Sequence, residues 1–230
     1  MRIVLTKHLA IAAVLLAGAA LAQDLGADEV LANIRQEAEA TRDASFLLTG
    51  RLIDPDGTAI ALEVEVELIP GERAARADFI QPDALADNVV VFDDEAVYNY
   101  IFLTNQVTVF DANDPDALGG FISGQGEGGA PTLTLDLEKL FAGWDAEVES
   151  YEAGFYHLRL DNKETGAALD HVLATVQEGT WVPSELVLFG DDGSMVAELF
   201  IDDFQRDQGI SVEDVTYIPE DAEVIDERAR

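Results

Sequence analysis

The sequence predicts an α+β protein in which a curved antiparallel sheet carries a few helices against one face. Three observations lead to this fold class. An amphipathic segment with helical spacing comes early in the chain. Segments in which apolar and polar residues alternate then recur to the end. Short turn sequences rich in Asp and Gly separate neighbouring segments closely enough for hairpins. Strands joined by hairpins, with helices placed on one face, are typical of this class.

The N-terminus is typical of a cleaved export signal. Arg2 and Lys7 supply positive charge, and an uncharged apolar run extends over residues 9–21. The small residues in Ala20-Leu21-Ala22 suit a signal peptidase. The apolar run is too short to span a bilayer comfortably, although an uncleaved anchor is the alternative. We predict a signal peptide at residues 1–22, with cleavage near Ala22 and no Cys after it to be acylated.

Composition limits the classes of function. The chain has 46 Asp and Glu residues, 13 Lys and Arg residues, a formal net charge of −33 and no Cys. Without the signal, 11 basic and 46 acidic residues leave a net charge of −35. This acidity opposes binding to nucleic acids and anionic membrane surfaces, and it keeps apolar surface soluble. The absence of Cys excludes disulfides and thiol catalysis. Residues 23–230 have a suitable length for a single domain.

The first predicted element is a helix that begins at Ala27 or Asp28 and ends near Thr41. Asp28 and Glu29 are favourable at its positive end. Its apolar residues recur at helical spacing on one face. They are Val30, Leu31, Ile34 and Ala38.

The clearest strand is Ile60–Leu68, where apolar residues alternate with three glutamates. This pattern predicts a half-buried antiparallel strand. Nine further runs have strand character, at residues 45–53, 75–80, 88–92, 96–103, 106–110, 155–160, 171–177, 181–189 and 195–204. Turns at residues 54–57, 93–95 and 190–193 predict hairpins between their neighbours. An antiparallel meander of about ten strands follows.

The middle of the chain predicts a second helix and a loop. Leu133, Leu137, Leu140 and Phe141 recur at helical spacing within residues 133–142. The glycine-rich run before them, residues 119–129, predicts a mobile loop. If the sheet curls around its helices without closing, its inner side becomes an apolar cleft.

Residues suited to catalysis or metal binding are sparse. After the signal, the only histidines are His157 and His171, which lack the helical spacing of H-E-x-x-H sites. Ser123 lacks the strand-to-helix context of a nucleophile elbow. The glycine-rich loop contains Glu127 and no Lys, which opposes phosphate binding. Residues 111–116 resemble half a calcium loop without its Gly and terminal Glu, which leaves weak Ca²⁺ binding open. We predict no enzyme, no cofactor and no metal.

Several loose motifs follow one another in an order that resembles a known family. They are Phe79-Ile80-Gln81-Pro82, the runs 88–94, 97–100 and 105–109, Pro183-Ser184-Glu185-Leu186, the turn 191–194, and residues 215–219 with Ala222-Glu223-Val224. Taken together over nearly the whole mature chain, they resemble the periplasmic outer-membrane lipoprotein carrier family, LolA.

The resemblance implies an unclosed antiparallel β-barrel, with an N-terminal helix and short lid helices over an apolar cavity. Family members take the acyl chains of lipoproteins from an inner-membrane release complex and pass them to an outer-membrane acceptor. The resemblance thus implies a periplasmic carrier of acylated lipoproteins or lipids, which we expect to be a monomer. In the family, an Arg of an "R-P" pair ties the lid to the barrel. Here Arg73 and Arg76 lie at that place without a following Pro, and the resemblance assigns lid latching to one of them.

The apolar sides of the clearest strands supply the predicted lipid-binding residues. Because each buried CH₂ contributes about 0.8 kcal/mol, partial burial of one acyl chain needs no specific polar contact. For each residue, ordinary core packing is the alternative. The predicted set is Leu62, Val64, Val66, Phe79, Val91, Tyr98, Tyr100, Leu186, Leu188 and Leu199.

Two other functional classes stay open. One is an envelope-stress regulator that resembles the RseB-type binders of anti-sigma factors, which normally carry a second C-terminal domain. The other is a hydrolase that uses His157. An apolar concavity favours a carrier or a regulator, whereas a polar cleft with converging His and Asp favours an enzyme.

Overall fold

The computed structural model describes residues 25–54, 56–112, 143–164, 167 and 169–228. The predicted signal peptide, the glycine-rich loop with Ser123 and the predicted helix at 133–142 lie outside the described residues. Most of the acidic segment at 111–116 lies outside them too.

Two helices and twelve strands make up the described fold. The helices are α1 (Ala27–Ala40) and α2 (Val212–Val215). The first six strands are β1 (Ala44–Ile53), β2 (Ala59–Ile69), β3 (Ala74–Gln81), β4 (Val89–Phe92), β5 (Ala96–Ile101) and β6 (Gln106–Asp111). The other six are β7 (Trp144–Glu152), β8 (Phe155–Asn162), β9 (Leu169–Gln177), β10 (Pro183–Gly190), β11 (Met195–Arg206) and β12 (Glu223–Asp226).

All twelve strands belong to one unclosed sheet, in the order β12-β6-β5-β4-β3-β2-β1-β11-β10-β9-β8-β7. Two antiparallel meanders, β1 to β6 and β7 to β11, are joined where β1 pairs with β11. The final strand β12 runs parallel to β6 and makes the sheet mixed. The predicted fold class, an α+β protein with an unclosed antiparallel sheet and an N-terminal helix, is therefore confirmed. All three predicted hairpin turns are present.

The sheet curls toward α1. This helix contacts β7 at one edge and the 3-10 turn Pro70–Glu72 that follows β2. In a flat sheet β2 and β7 would lie about 29 Å apart, because six strand spacings separate them. A helix of 14 residues is only about 21 Å long. Twisted sheets with more than about ten strands also curl in general. We call the face that bears α1 the inner face and the opposite face the outer face.

The N-terminal helix packs on one end of the inner face. Val30 and Ile34 of α1 form a buried cluster with Tyr156, Leu158 and Val176 of β8 and β9. The alternation along these strands places every second side chain under the helix. The predicted amphipathic face of α1 is therefore the face that packs.

The C-terminal segment covers part of the outer face. Val215 of α2 packs against Ile69 and Ala74 at the β2–β3 turn. Ile218 and Ala222 then pack over the β4–β6 region. The sequence pattern did not predict α2, which has only four helical residues.

Two strands were missed, and two predicted strands extend two residues too far at one end. β7 carried the alternating signal, since Trp144, Ala146 and Val148 pack toward α1 and acidic residues separate them. β12 was missed because it is short. The predicted strand at 181–189 begins instead at Pro183, because Trp181 has a positive φ of 53°. The one at 96–103 ends at Ile101, because Phe102–Thr104 form a 3-10 turn.

A buried carboxylate ties the start of β1 to the chain beyond β11. Asp43 is only 5% exposed. Its Oδ1 accepts the backbone N–H of Gln208 at 2.7 Å, and its Oδ2 accepts that of Gly209 at 3.1 Å. Its own carbonyl accepts the N–H of Asp207 at 2.9 Å. The junction between α1 and β1 is thereby joined to the end of the other meander.

Replacing Asp43 by Ala is expected to lower the free energy of unfolding by about 2 kcal/mol. The loss arises because the buried carboxylate of Asp43 no longer accepts the N–H groups of residues 208 and 209. Urea denaturation measures the effect. Arg42→Ala is the control, since Arg42 is exposed and makes only a surface ion pair with Asp207. Equal losses in the two variants would contradict the assigned role of Asp43.

Gly50→Ala is expected to destabilise the protein by about 2–3 kcal/mol. Gly50 lies within β1 at φ 146°, and an added Cβ would lie 2.0 Å from the carbonyl oxygen of Glu198 on β11. Gly71→Ala is the control, because an added Cβ there has no neighbour within 4 Å. Thermal unfolding that shifted both variants equally would count against a specific close approach at Gly50.

Candidate functional site

The centre of the inner face is lined by apolar residues from four adjacent strands. The register places Gly50 opposite both Leu62 and Leu199, and Leu199 opposite Leu186. We call this surface the central inner face. It consists of Leu48, Gly50 and Leu52 of β1, Ile60, Leu62, Val64 and Val66 of β2, Leu186 and Leu188 of β10, and Ala197, Leu199 and Ile201 of β11. No charged side chain belongs to it.

Burial differs between the two parts of the inner face. Under α1, Tyr156 and Leu158 are each 1% exposed and Val176 is fully buried. On the central inner face, Leu48, Leu62 and most of their neighbours are only half-buried. Of this surface, only Leu186 packs with the cluster beneath α1. The helix therefore covers the β8–β9 end of the sheet, whereas the centre keeps accessible apolar area.

Gly50 opens a gap in the central inner face. It contributes no side chain between Leu62 and Leu199, whose strands lie about 10 Å apart on either side of β1. The close backbone of Glu198 leaves no room for a Cβ at this point. The inner face therefore lacks a side chain between two leucines, and we call this gap, about one strand wide, the groove.

The ten predicted lipid-binding residues lie on both faces of the sheet. Seven share the inner face: Leu62, Val64, Val66, Phe79, Leu186, Leu188 and Leu199. The other three, Val91, Tyr98 and Tyr100, lie on the outer face. There they pack with Ile218 and Ala222 of the C-terminal segment, and Val91 is fully buried. In β4 three consecutive valines are buried, so alternation could not indicate which side of this strand faces inward.

The sequence pattern missed the contribution of β1 and part of β11. Leu48, Leu52 and Ile201 belong to the central inner face but were not predicted. In β1, apolar residues at alternate positions were a usable signal. Leu47 and Ile53 obscured it because they are apolar and point to the other face.

The two predicted lid-latching arginines make contacts away from the inner face. The Nη1 atom of Arg73 lies 2.9 Å from Oδ1 of Asp94 at the surface. Arg76 pairs with Asp78 and donates from Nη1 to the carbonyl of Tyr217 at 2.7 Å. Arg76 thus ties β3 to the segment after α2. Because the glycine-rich loop at 119–129 and the predicted helix at 133–142 lie outside the described residues, lid latching stays a prediction.

The outer face is acidic where the inner face is apolar. A hollow of about 460 Å³ over β1 and β2 is lined in part by Glu65, Glu67, Asp78 and Asp203. Burial and the negative charge of Asp78 raise the pKa of Glu67, while the positive charge of Arg76 opposes this shift. The sheet thus separates a charged surface from an apolar one.

The two histidines do not form a common site. They lie on the outer face of neighbouring strands, about 13 Å apart because four residues along the ladder separate them. His157 Nδ1 lies 3.3 Å from Oγ1 of Thr175. His171 stacks on Phe189 and contacts Asp170 Oδ2 at 2.8 Å. Within the described ranges, no group of three or more His, Asp or Glu residues is arranged to hold a metal.

The described helices include none with the length and apolar character needed to cross a membrane.

Comparisons with known proteins show similarity of fold. No family model matches the chain. No curated protein matches it either. An uncharacterized conserved protein from Thermus thermophilus has a similar structure, with a TM-score of 0.61 and 18% identity over 87% of this chain and 98% of that chain. This similarity shows a shared fold.

Two further structures overlap less well. A putative outer membrane lipoprotein-sorting protein domain from Vibrio parahaemolyticus has a TM-score of 0.47 and 12% identity, over 83% of this chain and 97% of that chain. A LolA superfamily protein from Nitrosomonas europaea has a TM-score of 0.42 and 11% identity, over 84% of this chain and 98% of that chain.

Glu67→Gln is expected to make the protein more stable at pH 7, with a gain that disappears below about pH 4. Because burial and Asp78 raise the pKa of Glu67, the folded protein binds this proton more tightly than the unfolded chain. Stability therefore falls as the pH rises between the unfolded and folded pKa values. The uncharged Gln removes that loss.

Thermal melts of the wild type and the variant from pH 3.5 to pH 8 measure the difference, with buffers at about constant ionic strength. Glu63→Gln is the control, since it removes one charge from the same face of β2 at a greater distance from Asp78. A stability gain for Glu67→Gln that does not change with pH would refute the assigned cause.

Proposed function

We propose that this protein is a soluble periplasmic carrier that shelters lipoprotein acyl chains, or those of another lipid, and passes them toward the outer membrane. The observation that supports this proposal most is the uncharged, half-buried central inner face. Large accessible apolar surfaces on soluble proteins usually serve binding. The predicted export signal and the resemblance to the lipoprotein carriers agree with it.

Hydrophobic burial alone supplies enough free energy for such a cargo. Each buried CH₂ contributes about 0.8 kcal/mol, so a few methylene groups in the groove at Gly50 give several kcal/mol. The groove lies between Leu62 and Leu199, which belong to the predicted lipid-binding set. Because this interaction is not directional, chains of different length can be accepted.

The acidic exterior suits a carrier that works in water. With a net charge of −33, the protein is repelled by anionic membrane surfaces and by other copies of itself. The charge also keeps a protein with an accessible apolar face soluble. Cargo exchange would then take place through membrane partners, an inner-membrane release complex and an outer-membrane acceptor, rather than by adsorption to lipid.

Seven of the ten predicted residues keep their proposed role as lipid contacts. These are the inner-face residues Leu62, Val64, Val66, Phe79, Leu186, Leu188 and Leu199. For Val91, Tyr98 and Tyr100 we propose a different role, which is to anchor the C-terminal segment on the outer face.

The regulatory and enzymatic alternatives make different demands. A regulator that binds lipids would use the same inner face and would in addition bind an anti-sigma factor. A hydrolase that uses His157 would need a polar cleft, but His157 lies on the outer face beside Thr175. The geometry of the described residues therefore favours binding over catalysis.

Leu62→Gln and Leu199→Gln are each expected to weaken binding of an acylated peptide about tenfold. Each variant places a polar amide in the apolar groove, and such a loss corresponds to about 1.4 kcal/mol. Leu47→Gln is the matched control. Leu47 is a half-buried leucine next to Leu48, but it lies opposite Glu65 and so belongs to the outer face.

Titration of a fluorescent triacylated peptide measures binding, and a nonacylated peptide serves as the blank. Equal affinity of Leu62→Gln, Leu199→Gln and Leu47→Gln would place the cargo elsewhere. Failure of the wild type to bind either the acylated peptide or any acyl lipid would overturn the carrier proposal. Recovery of a bound anti-sigma factor in place of lipid would favour the regulator.

A further inference from the structure

Arg35 is exceptional among the basic residues that the structure describes. Nine Lys and Arg side chains lie within the described ranges, and eight of them pair with a carboxylate. The pairs are Arg42–Asp207, Arg51–Glu198, Arg73–Asp94, Arg76–Asp78, Arg159–Asp161, Lys163–Asp145, Arg206–Glu37 and Arg228–Asp226. Arg35 has no such partner in the part of the chain that is described.

The guanidinium of Arg35 is partly removed from water. The residue is half-buried, and its Nε atom is buried without a hydrogen-bond partner. It lies one turn after Leu31, which packs against the cluster beneath α1. Glu39 lies one turn further on and does not pair with it in the described structure. An Arg that precedes its Glu by four residues is the weaker of the two orientations of such a pair.

The position of Glu37 indicates the direction in which the Arg35 side of α1 faces. Glu37 pairs with Arg206, at the end of β11. Residues two apart in an α-helix point about 200° apart around the axis. Because Glu37 faces the end of the sheet where β11 stops, Arg35 lies on the opposite flank of α1. A cation without a carboxylate partner among the described residues therefore lies on the helix that packs on the inner face, on the flank turned away from the end of β11.

The free energy of a cation rises when it is partly removed from water and has no charged partner. Acidic residues that could pair with Arg35 are abundant in this chain. The sequence has 46 acidic residues for 13 basic ones, so carboxylates that could neutralise Arg35 are plentiful. Burying a charge without a partner costs free energy that a bound anion would offset. A guanidinium also offers two parallel N–H donors, which match a phosphate or carboxylate group.

From these observations we infer that Arg35 binds the anionic headgroup of a lipid whose acyl chains lie on the central inner face. The inference rests on the proposed function and specifies its cargo as a lipid with a phosphate or carboxylate group. Such a cargo differs from the acylated end of a lipoprotein, whose diacylglyceryl group carries no charge. Elsewhere on the surface, acidic residues repel an anion. The anionic headgroup is therefore expected to lie at Arg35 in preference to other positions on the protein.

The test compares two lipids with identical acyl chains, dioleoyl phosphatidic acid and dioleoylglycerol, which differ in the phosphate. The full chain is titrated with each lipid, in competition with a fluorescent fatty-acid probe. We expect the wild type to bind phosphatidic acid about tenfold more tightly, as one charge-assisted, partly buried ion pair allows. Arg35→Gln is expected to lose this preference and to keep its affinity for dioleoylglycerol. Arg35→Lys should retain part of the preference, because it keeps the charge and loses the fork of donors.

Arg42→Gln is the matched control, because it removes the same charge from an exposed position just beyond α1. It should behave like the wild type. If Arg35→Gln does not fold, the salt dependence of the wild type replaces it. The preference should then decline between 50 mM and 500 mM salt, by a factor of about three.

Four outcomes would overturn the inference. Equal wild-type affinity for the two lipids would refute it and leave the carrier proposal intact. A preference that survives in Arg35→Gln would assign the phosphate to another residue. Equal losses of both lipids in Arg35→Gln would indicate that Arg35 only supports the fold. Competition by glycerol 3-phosphate at the same concentrations as phosphatidic acid would show a free-phosphate site unrelated to the inner face. Failure of the wild type to bind either lipid would instead defeat the proposed function.

Discussion

The pairing of β1 with β11 is the interaction on which the rest of the structure depends. It joins residues as far apart in sequence as Ala44 and Arg206, and it unites two meanders into one sheet. Without it, the leucines of β2 and those of β10 would belong to separate sheets. Closing so long a loop costs conformational entropy, which the extensive ladder between β1 and β11 and the hydrogen bonds to Asp43 offset.

The same pairing creates the candidate site. A side chain at Gly50 of β1 would collide with the carbonyl of Glu198 on β11, so the pairing of these strands removes a side chain from the inner face. The groove between Leu62 and Leu199 is therefore a consequence of how the sheet is joined. α1 covers the neighbouring β8–β9 surface and leaves this groove half-buried, so one helix both stabilises the fold and limits the extent of the site.

The distribution of charge gives the two faces different tasks. Acidic residues gather on the outer face, where Arg76 balances them and ties down the C-terminal segment. The central inner face excludes charge, and Arg35, on the helix that packs on the inner face, has no carboxylate partner among the described residues. A carrier of amphiphilic molecules needs this separation, because water must be attracted to one side of the sheet and excluded from the other.

Much of the fold followed from local sequence patterns. The period of 3.6 residues defined α1, and alternation or other strand character defined ten of the strands, with three hairpin turns between them, because these signals depend only on neighbouring residues. In β7 the alternation of apolar and acidic residues is present in the sequence, although this strand was not predicted. Sequence could not show which side of β4 faces inward, since three consecutive valines are apolar on both sides.

The sequence by itself therefore determined α1, ten of the twelve described strands, three hairpin turns and the acidic character. The tertiary structure decided that Val91, Tyr98 and Tyr100 lie on the outer face, that β1 contributes to the groove, and that Arg35 has no carboxylate partner among the described residues. The physical reason is that faces, gaps and ion pairs arise between strands and helices that are distant in sequence, and pairing register alone brings them together.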